Sequence, residues 1–203
     1  MCRIPGREAR RRRESRMISP EELMTRLGVL TRLYAASEET VFGALNDKDS
    51  GLFFAIARAG GNFLWRAESP VGWALSPPLL WGGLCIAGTS TAGMSRSEDG
   101  GEFATVDWRR GGAVIAFGAG DGEVRFLDER CGIVRETPRA EGDLLIVRGE
   151  IRIGGFRNDA PWSSSAEVES RFALPSGELI SRRARGDVRP EDFSGEPPPG
   201  AWE

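Results

Sequence analysis

The sequence predicts a mainly β protein: an antiparallel β-sandwich or barrel-like domain with an N-terminal α-helix. Short apolar or alternating segments recur after Asp47 and are separated by turn residues, which is typical of antiparallel strands. Helical spacing of apolar residues is clearest near the start of the chain. With 203 residues, of which 40% are hydrophobic, the chain is long enough to bury one sizeable core.

The helix is predicted to begin after Ser19. Ser19 is a favourable N-cap residue, Pro20 suits the first helical position, and Glu22 completes a capping box. Apolar residues then recur at helical spacing and form one stripe, which is expected to pack on the sheets of the same chain. A second cap-like sequence at 37–39 leaves two alternatives open, one helix over 19–45 or two shorter helices.

The predicted strands are short, and two hairpins are well marked. The hairpin turns lie at 118–122 and 175–177, and alternation of apolar and charged residues over 167–174 predicts one solvated sheet face. No internal repeat is strong enough to indicate a propeller or a solenoid. Strands are expected near 52–58, 63–67, 72–75, 79–87, 103–108, 113–117, 123–127, 144–153, 166–174 and 178–183.

The two ends differ from the globular domain predicted over 17–185, whose β-rich part is 52–185. Residues 1–16 form a basic leader with seven arginines and two glutamates. Three interpretations stay open: an organellar presequence, a leader that is not translated because Met17 is the start, or an arm that binds nucleic acid. The arm would use Arg10, Arg11, Arg12 and Arg13.

Residues 186–203 form a proline-rich acidic tail with four prolines and five acidic residues. Such a segment does not bury enough apolar surface to order itself. Phe193 and Trp202 are costly residues to leave in solvated chain, so they are candidate partner-binding residues.

No histidine occurs in the sequence, which excludes Ser-His-Asp hydrolases and histidine-ligated metal sites. The cysteines Cys2, Cys85 and Cys131 are widely separated, which predicts neither a zinc site nor a disulfide framework. A Cys85–Cys131 bridge stays open, although Cys85 lies in an apolar segment typical of a buried hydrophobic residue. No catalytic residue, cofactor or metal site is predicted.

Two minority interpretations rest on other residue types. Trp65, Trp73 and Trp81 recur every eight residues, and exposed tryptophans on a β-sandwich would form stacking platforms for sugars. Paired carboxylates would allow hydrolysis without histidine if two of them faced each other across a cleft. The candidates at strand ends or turns are Glu98, Asp99, Glu102, Asp107, Asp121, Asp128, Glu129, Asp143 and Asp159.

Together these features predict a non-enzymatic structural or interaction protein, for which we favour a phage virion component of the head or tail. Its expected partners are protein subunits in a homo- or hetero-oligomer, with nucleic acid contacted only through 1–16. No signal peptide or transmembrane segment is evident, so a virion or cytoplasmic location is expected and no membrane partner. A carbohydrate-binding module and a carboxylate-dependent hydrolase are the alternatives.

Overall fold

Strands make up 61% of the structure, and one short helix lies near its N-terminal end. The predicted mainly β fold with an N-terminal helix is therefore confirmed. The computed structural model describes residues 17–28, 33–46, 51–90, 111–157 and 160–186, with the backbone alone over 151–157 and 160–164.

Within these ranges the helix α1 spans Pro20–Arg26, and thirteen strands form three antiparallel sheets. Sheet 1 contains β1 (Tyr34–Ala36), β2 (Thr40–Asn46), β3 (Gly51–Ala57) and β4 (Phe63–Glu68). Sheet 2 contains β5 (Trp73–Ala74), β6 (Leu79–Trp81), β7 (Leu84–Ser90), β8 (Val114–Gly118) and β9 (Val124–Asp128). Sheet 3 contains β10 (Arg139–Glu141), β11 (Leu144–Arg157), β12 (Ala160–Ala173) and β13 (Glu178–Gly186).

Each sheet is an up-and-down meander in which strands that follow one another along the chain are neighbours. The orders are β1-β2-β3-β4, β6-β7-β8-β9 and β10-β11-β12-β13, while β5 pairs with the far end of β7. Four-stranded antiparallel sheets of this kind are also the units of β-propellers. Among the described residues no sheet closes on itself, so the sheets form a sandwich-like stack and not a barrel.

The three sheets pack face to face in chain order. Phe53 of sheet 1 and Ile115 of sheet 2 belong to one buried cluster, and Val114 of sheet 2 and Val147 of sheet 3 belong to the next. A third cluster joins α1 to the outer face of sheet 1 through Leu23. Sheet 2 is therefore covered on both faces, and α1 closes the sheet 1 end of the stack.

One local geometry recurs between the third and fourth strands of every sheet. A β-bulge interrupts the pairing of β3 with β4, of β8 with β9, and of β12 with β13. The turn before each fourth strand contains a glycine with positive φ, at Gly61 (71°), Gly122 (74°) and Gly177 (73°). Each of these N–H groups donates to the carbonyl four residues earlier, at 2.8–3.1 Å. The sheets are thus structural repeats, and glycine is favoured because other residues are strained at this φ.

Trp65, four residues after the turn glycine of sheet 1, joins that sheet to sheet 2. Its ring stacks on Phe117 with centroids 5.9 Å apart, and its indole N–H donates to the Ala119 carbonyl at 2.9 Å. The ring also covers Gly122, where a Cβ atom would lie 2.6 Å from the indole. The glycine of one sheet therefore makes room for the aromatic side chain of the sheet before it.

Phe126 repeats this contact between sheets 2 and 3. It stacks on Phe172 at 6.3 Å and lies against Gly177, where a Cβ would come within 2.2 Å of the ring. At sheet 1 the matching glycine, Gly61, faces α1 instead, with a Leu23 methyl 3.1 Å from where its Cβ would be. The helix thus takes the position that an aromatic residue of an earlier sheet would occupy.

The helix start is predicted correctly, but its extent is wrong. The Ser19 hydroxyl accepts a 3.1 Å hydrogen bond from the Glu22 N–H, as an N-cap should. The helix ends at Arg26, Gly28 adopts a φ of 69°, and the later part of the predicted helix contains β1 and β2 instead. Strand β2 is covered by sheet 2 on one face and by α1 on the other, so its apolar residues run continuously. Periodicity does not distinguish such a strand from a buried helix.

Most of the predicted strands are confirmed with shifted ends. The strand predicted over 79–87 is instead two strands, β6 and β7, because Gly82 and Gly83 both adopt positive φ and form a tight turn between them. Strands β1, β2 and β10 are not among the predicted ones. The strand predicted over 103–108 lies outside the described residues.

Candidate interaction surface

The outer face of sheet 3 carries charge where the matching positions of sheets 1 and 2 are apolar. The bulges align the sheets, so that Glu169 takes the place of Val114 in sheet 2 and of Phe53 in sheet 1. In the same way, Arg171 occupies the position that Ala116 has in sheet 2 and that an alanine has in sheet 1. Val114 and Phe53 pack against the following sheet, whereas unpaired charge is costly to bury. The outer face of sheet 3 is therefore unsuited to apolar packing against a further sheet.

Glu169 lies at the centre of this outer face and binds two arginines. Its carboxylate accepts hydrogen bonds from Arg171 Nη2 at 2.8 Å and Nε at 3.0 Å, and from Arg148 Nε at 3.1 Å. The bonds from Arg171, reinforced by Arg148, hold the pKa of Glu169 below its usual value against the opposing effect of burial. The three charges form one shared ion-pair network across β11 and β12.

Arg183 and Arg185 of β13 add positive charge to the same face. They lie directly opposite Glu169 and Glu167 in the strand register, and both are exposed. Neither guanidinium group forms a hydrogen bond or an ion pair with another described residue. We call the residues that line this groove of 250 Å³ the arginine face; they are Arg148, Glu167, Glu169, Arg171, Arg183 and Arg185.

A second groove, of 290 Å³, adjoins the arginine face and shares Arg148 and Glu167 with it. One wall is the segment that precedes β10, where Arg135 Nε lies 3.4 Å from the Glu150 carboxylate. The two grooves are therefore continuous through the shared residues Arg148 and Glu167.

The sequence indicates only part of this surface. The alternation of apolar and charged residues over 167–174 predicts one solvated face, and the structure confirms it. Arg148 and Arg183 are not predicted from the sequence, because only the pairing of β11 and β13 with β12 places them beside Glu169. No spacing along the chain reveals that register.

A different polar cluster is buried between sheets 2 and 3. The side chain of Arg182 is fully buried; its Nη2 donates to Asp128 at 2.8 Å and its Nε to the Ser170 hydroxyl at 2.9 Å. Asp128 also accepts a 2.8 Å bond from the Arg130 backbone N–H. Burial alone would raise the pKa of Asp128, but the charge of Arg182 and the Arg130 N–H outweigh it, so the pKa lies below its usual value. This cluster joins β9 to β13 and is structural.

The two described cysteines are free, so the Cys85–Cys131 bridge is not formed. They lie on opposite faces of sheet 2, and burial raises the pKa of each thiol to about 12. Because the thiolate is the nucleophile, we expect neither to react with maleimide in folded protein at about pH 8, and both to react in denaturant. Peptide mass spectrometry after timed labelling measures this. Fast labelling of either thiol in folded protein would contradict the burial.

The tryptophans of the carbohydrate-binding interpretation do not share one surface. Trp65 is 7% exposed, and its indole N–H is already bonded to Ala119. Trp81 packs against the cluster on the opposite face of sheet 2, and Trp73 is half-buried. The ring of Trp65 therefore has no free face on which a sugar could stack.

The carboxylates that the structure describes do not resemble a catalytic pair. Wherever a carboxylate pKa departs from its usual value it is lowered; in Asp121 the Glu123 backbone N–H is the largest cause, with Arg125 adding to it. A general acid at neutral pH needs a raised pKa. The candidates outside the described residues are Glu98, Asp99, Glu102, Asp107 and Asp159.

In the described part of the chain, no group of three or more potential ligands is placed to hold a metal ion. No helix there has the length and apolar character needed to cross a membrane. The arginines of the basic leader and the tail residues Phe193 and Trp202 lie outside the described residues.

The fold and this surface define a mainly β protein of stacked antiparallel sheets with four or five strands each. No protein-family model and no curated protein matches the chain. The structure is similar to part of a europium-containing methanol dehydrogenase, with 10% identity and a TM-score of 0.50 over 82% of this chain and 28% of that one. A quinohemoprotein alcohol dehydrogenase from Pseudomonas putida has 11% identity and a TM-score of 0.39, over 77% of this chain and 34% of that one. BamB from Moraxella catarrhalis has 14% identity and a TM-score of 0.24, over 71% and 60%.

The first of these similarities supports the stacked-sheet fold and nothing more. The chain spans about a quarter to a third of the length of the two dehydrogenases. At such low identity, function has to be argued from the surface of this chain itself.

Proposed function

We propose that this is a non-enzymatic interaction protein whose arginine face binds an acidic segment of a partner protein. The observation that carries the proposal is the pair of exposed arginines, Arg183 and Arg185, which have no partner among the described residues. They stand beside an ion-pair network that already holds Arg148 and Arg171 in place. Preorganised guanidinium groups bind carboxylates with good geometry.

The glutamates of the arginine face favour a protein partner over nucleic acid. Glu167 and Glu169 both lie on β12, between Arg148 of β11 and the arginines of β13, so a nucleic acid strand with a phosphate at every nucleotide would meet negative charge on that middle strand. An extended acidic peptide directs alternate side chains to opposite faces, so only every second carboxylate faces the sheet. The charge pattern therefore supports a carboxylate-bearing segment.

The closed ends of the stack also support a polar interface. Helix α1 covers the outer face of sheet 1, and the charges at Glu169 and Arg171 disfavour another sheet on sheet 3. A partner is therefore expected to dock on the arginine face through ion pairs, without extending the stack. The narrower suggestion of a phage head or tail component stays a prediction.

The test is the binding of a fluorescein-labelled deca-glutamate peptide, followed by fluorescence anisotropy at low salt. The double variant R183S/R185S is expected to bind the peptide about 5- to 30-fold more weakly, since each exposed ion pair contributes about 0.5–1 kcal/mol. Salt is expected to weaken wild-type binding as well, because exposed charges are screened.

The matched control is R26S/R66S, which removes two positive charges at the opposite end of the stack. Arg26 pairs with Glu22 on α1, and the Arg66 guanidinium lies 3.7 Å from the Phe63 ring. Equal binding by both double variants would show that net charge alone attracts the peptide. An oligothymidine of equal length that bound more tightly than the peptide would reverse the choice of partner.

A further inference from the structure

The C-terminal segment 187–203 has the chemistry that the arginine face is built to bind. It contains five acidic residues and one arginine, and it also carries Phe193 and Trp202. The arginine face contains four arginines and two glutamates. The two charges are opposite in sign, although the whole chain has a net charge of −3.

The connection between the two is short. Strand β13 ends at Gly186, one residue after Arg185, so the acidic segment begins at the edge of the arginine face. Seventeen residues of extended chain reach about 50 Å, whereas neighbouring strands lie about 5 Å apart. Every position of the face is therefore within reach. A short tether also gives an effective concentration on the order of millimolar, so even weak ion pairs would keep the segment in place.

Strand β13 also offers contacts for the aromatic residues of the segment. Ile180, which lies on β13 outside the arginine face, is 59% exposed. The unpaired guanidinium groups of Arg183 and Arg185 are suited to stack on an aromatic ring, and a tryptophan is the best ring for such a contact. Acidic and aromatic residues of the segment thus both match groups that the described residues leave without partners.

We propose that segment 187–203 docks on the arginine face of its own chain and is displaced when the external acidic partner binds. The docking itself stands on charge, reach and the unpartnered arginines. The displacement rests on the proposed function, because it requires an external partner for the same face. The segment would then compete with external acidic chains for the arginine face. It would weaken the binding of those chains that match the face poorly.

Docking is tested on the full chain through the fluorescence of Trp202, taken as the difference between the wild type and W202F. At about 20 mM salt, we expect the Trp202 emission to lie at shorter wavelength than that of a solvated tryptophan. It should move to the solvated position in R183S/R185S and at about 500 mM salt, where charge pairs are screened. The control R26S/R66S is expected to behave as the wild type.

Two results would overturn the docking. One is a solvated Trp202 emission in the wild type that neither variant nor salt changes. The other is a signal that disappears on hundredfold dilution, because contact within one chain does not depend on concentration while contact between chains does. Cleavage after Glu191 by a glutamate-specific protease gives an independent reading, and it should speed up in R183S/R185S.

Displacement is tested with the variant E191Q/D192N/E196Q and the deca-glutamate peptide. Removing three charges from the competitor is expected to tighten peptide binding about 3- to 10-fold, with the arginine face unchanged. Docking without any change in peptide affinity would overturn the competition and leave the proposed function standing. If the Trp202 emission showed docking but no variant bound the peptide, the proposed function would be overturned and the docking would stand.

Discussion

Trp65→Ala is expected to destabilise the fold by about 3–5 kcal/mol, the usual cost of truncating a buried tryptophan. The ring of Trp65 fills the space between sheets 1 and 2, where it stacks on Phe117 and bonds to Ala119. Its removal leaves a cavity at that junction. The free energy of unfolding from urea denaturation measures the effect.

Gly122→Ala tests the same contact from the other side. The new Cβ would be strained by the φ of 74° and would lie 2.6 Å from the Trp65 indole. The strain costs about 1 kcal/mol and the overlap about 1–3 kcal/mol more. In the Trp65→Ala background the overlap disappears, so Gly122→Ala should then cost only about 1 kcal/mol. The two substitutions are therefore expected to be strongly non-additive.

Substitutions at two other glycines separate the backbone strain of Gly122→Ala from its steric overlap with the indole. Gly142 has a φ of 60° with nothing within 4 Å of its Cβ position, so Gly142→Ala measures the backbone strain alone. Gly120 lies in the same turn as Gly122 and is also open, and its substitution should be close to neutral. If Gly122→Ala cost as much without Trp65 as with it, packing against the indole would not explain the glycine.

The contact between Trp65 and Gly122 also shows why the sequence does not reveal the repeat. The three turn glycines are followed four residues later by Trp65, Phe126 and Ser181, which share no chemical type. The matching positions are 61 residues apart between the first two sheets and 55 between the last two, so no fixed period exists. Only the bulges and the turn geometry align them.

Local features were the predictable part of the fold. The N-cap at Ser19, the hairpin turns and the burial of Cys85 depend on a few neighbouring residues, and the structure confirms each of them. Strand β2 has apolar residues on both faces because sheet 2 covers one face and α1 covers the other. This coverage depends on how the sheets stack, so the residue pattern of β2 alone does not show that it is a strand. The arginine face likewise depends on register, so the surface on which the proposed function rests could not be located from the sequence.

Asp128→Ala is expected to destabilise the fold by about 3 kcal/mol or more, although it removes one small side chain. It would leave the fully buried guanidinium of Arg182 without its counter-ion. The double variant Asp128→Leu with Arg182→Met should recover much of the loss, since an apolar pair replaces both charges. Glu123→Gln is the control, because Glu123 is 73% exposed where it pairs with Arg125. This substitution should change the free energy of unfolding by less than about 1 kcal/mol.

The same pair predicts how stability depends on pH. The pKa of Asp128 is lower in the folded protein than its unfolded value of about 3.9, so the folded state favours the ionised carboxylate. The resulting stabilisation is fully present above about pH 4 and is lost as the pH falls through the folded-state pKa. We therefore expect the difference in unfolding free energy between the wild type and Asp128→Asn to be constant near neutral pH and to shrink below about pH 4. Urea denaturation at a series of pH values measures it. A difference that stayed constant down to about pH 2 would mean that Asp128 is not held ionised by Arg182, and the cost of losing it would then be one of packing.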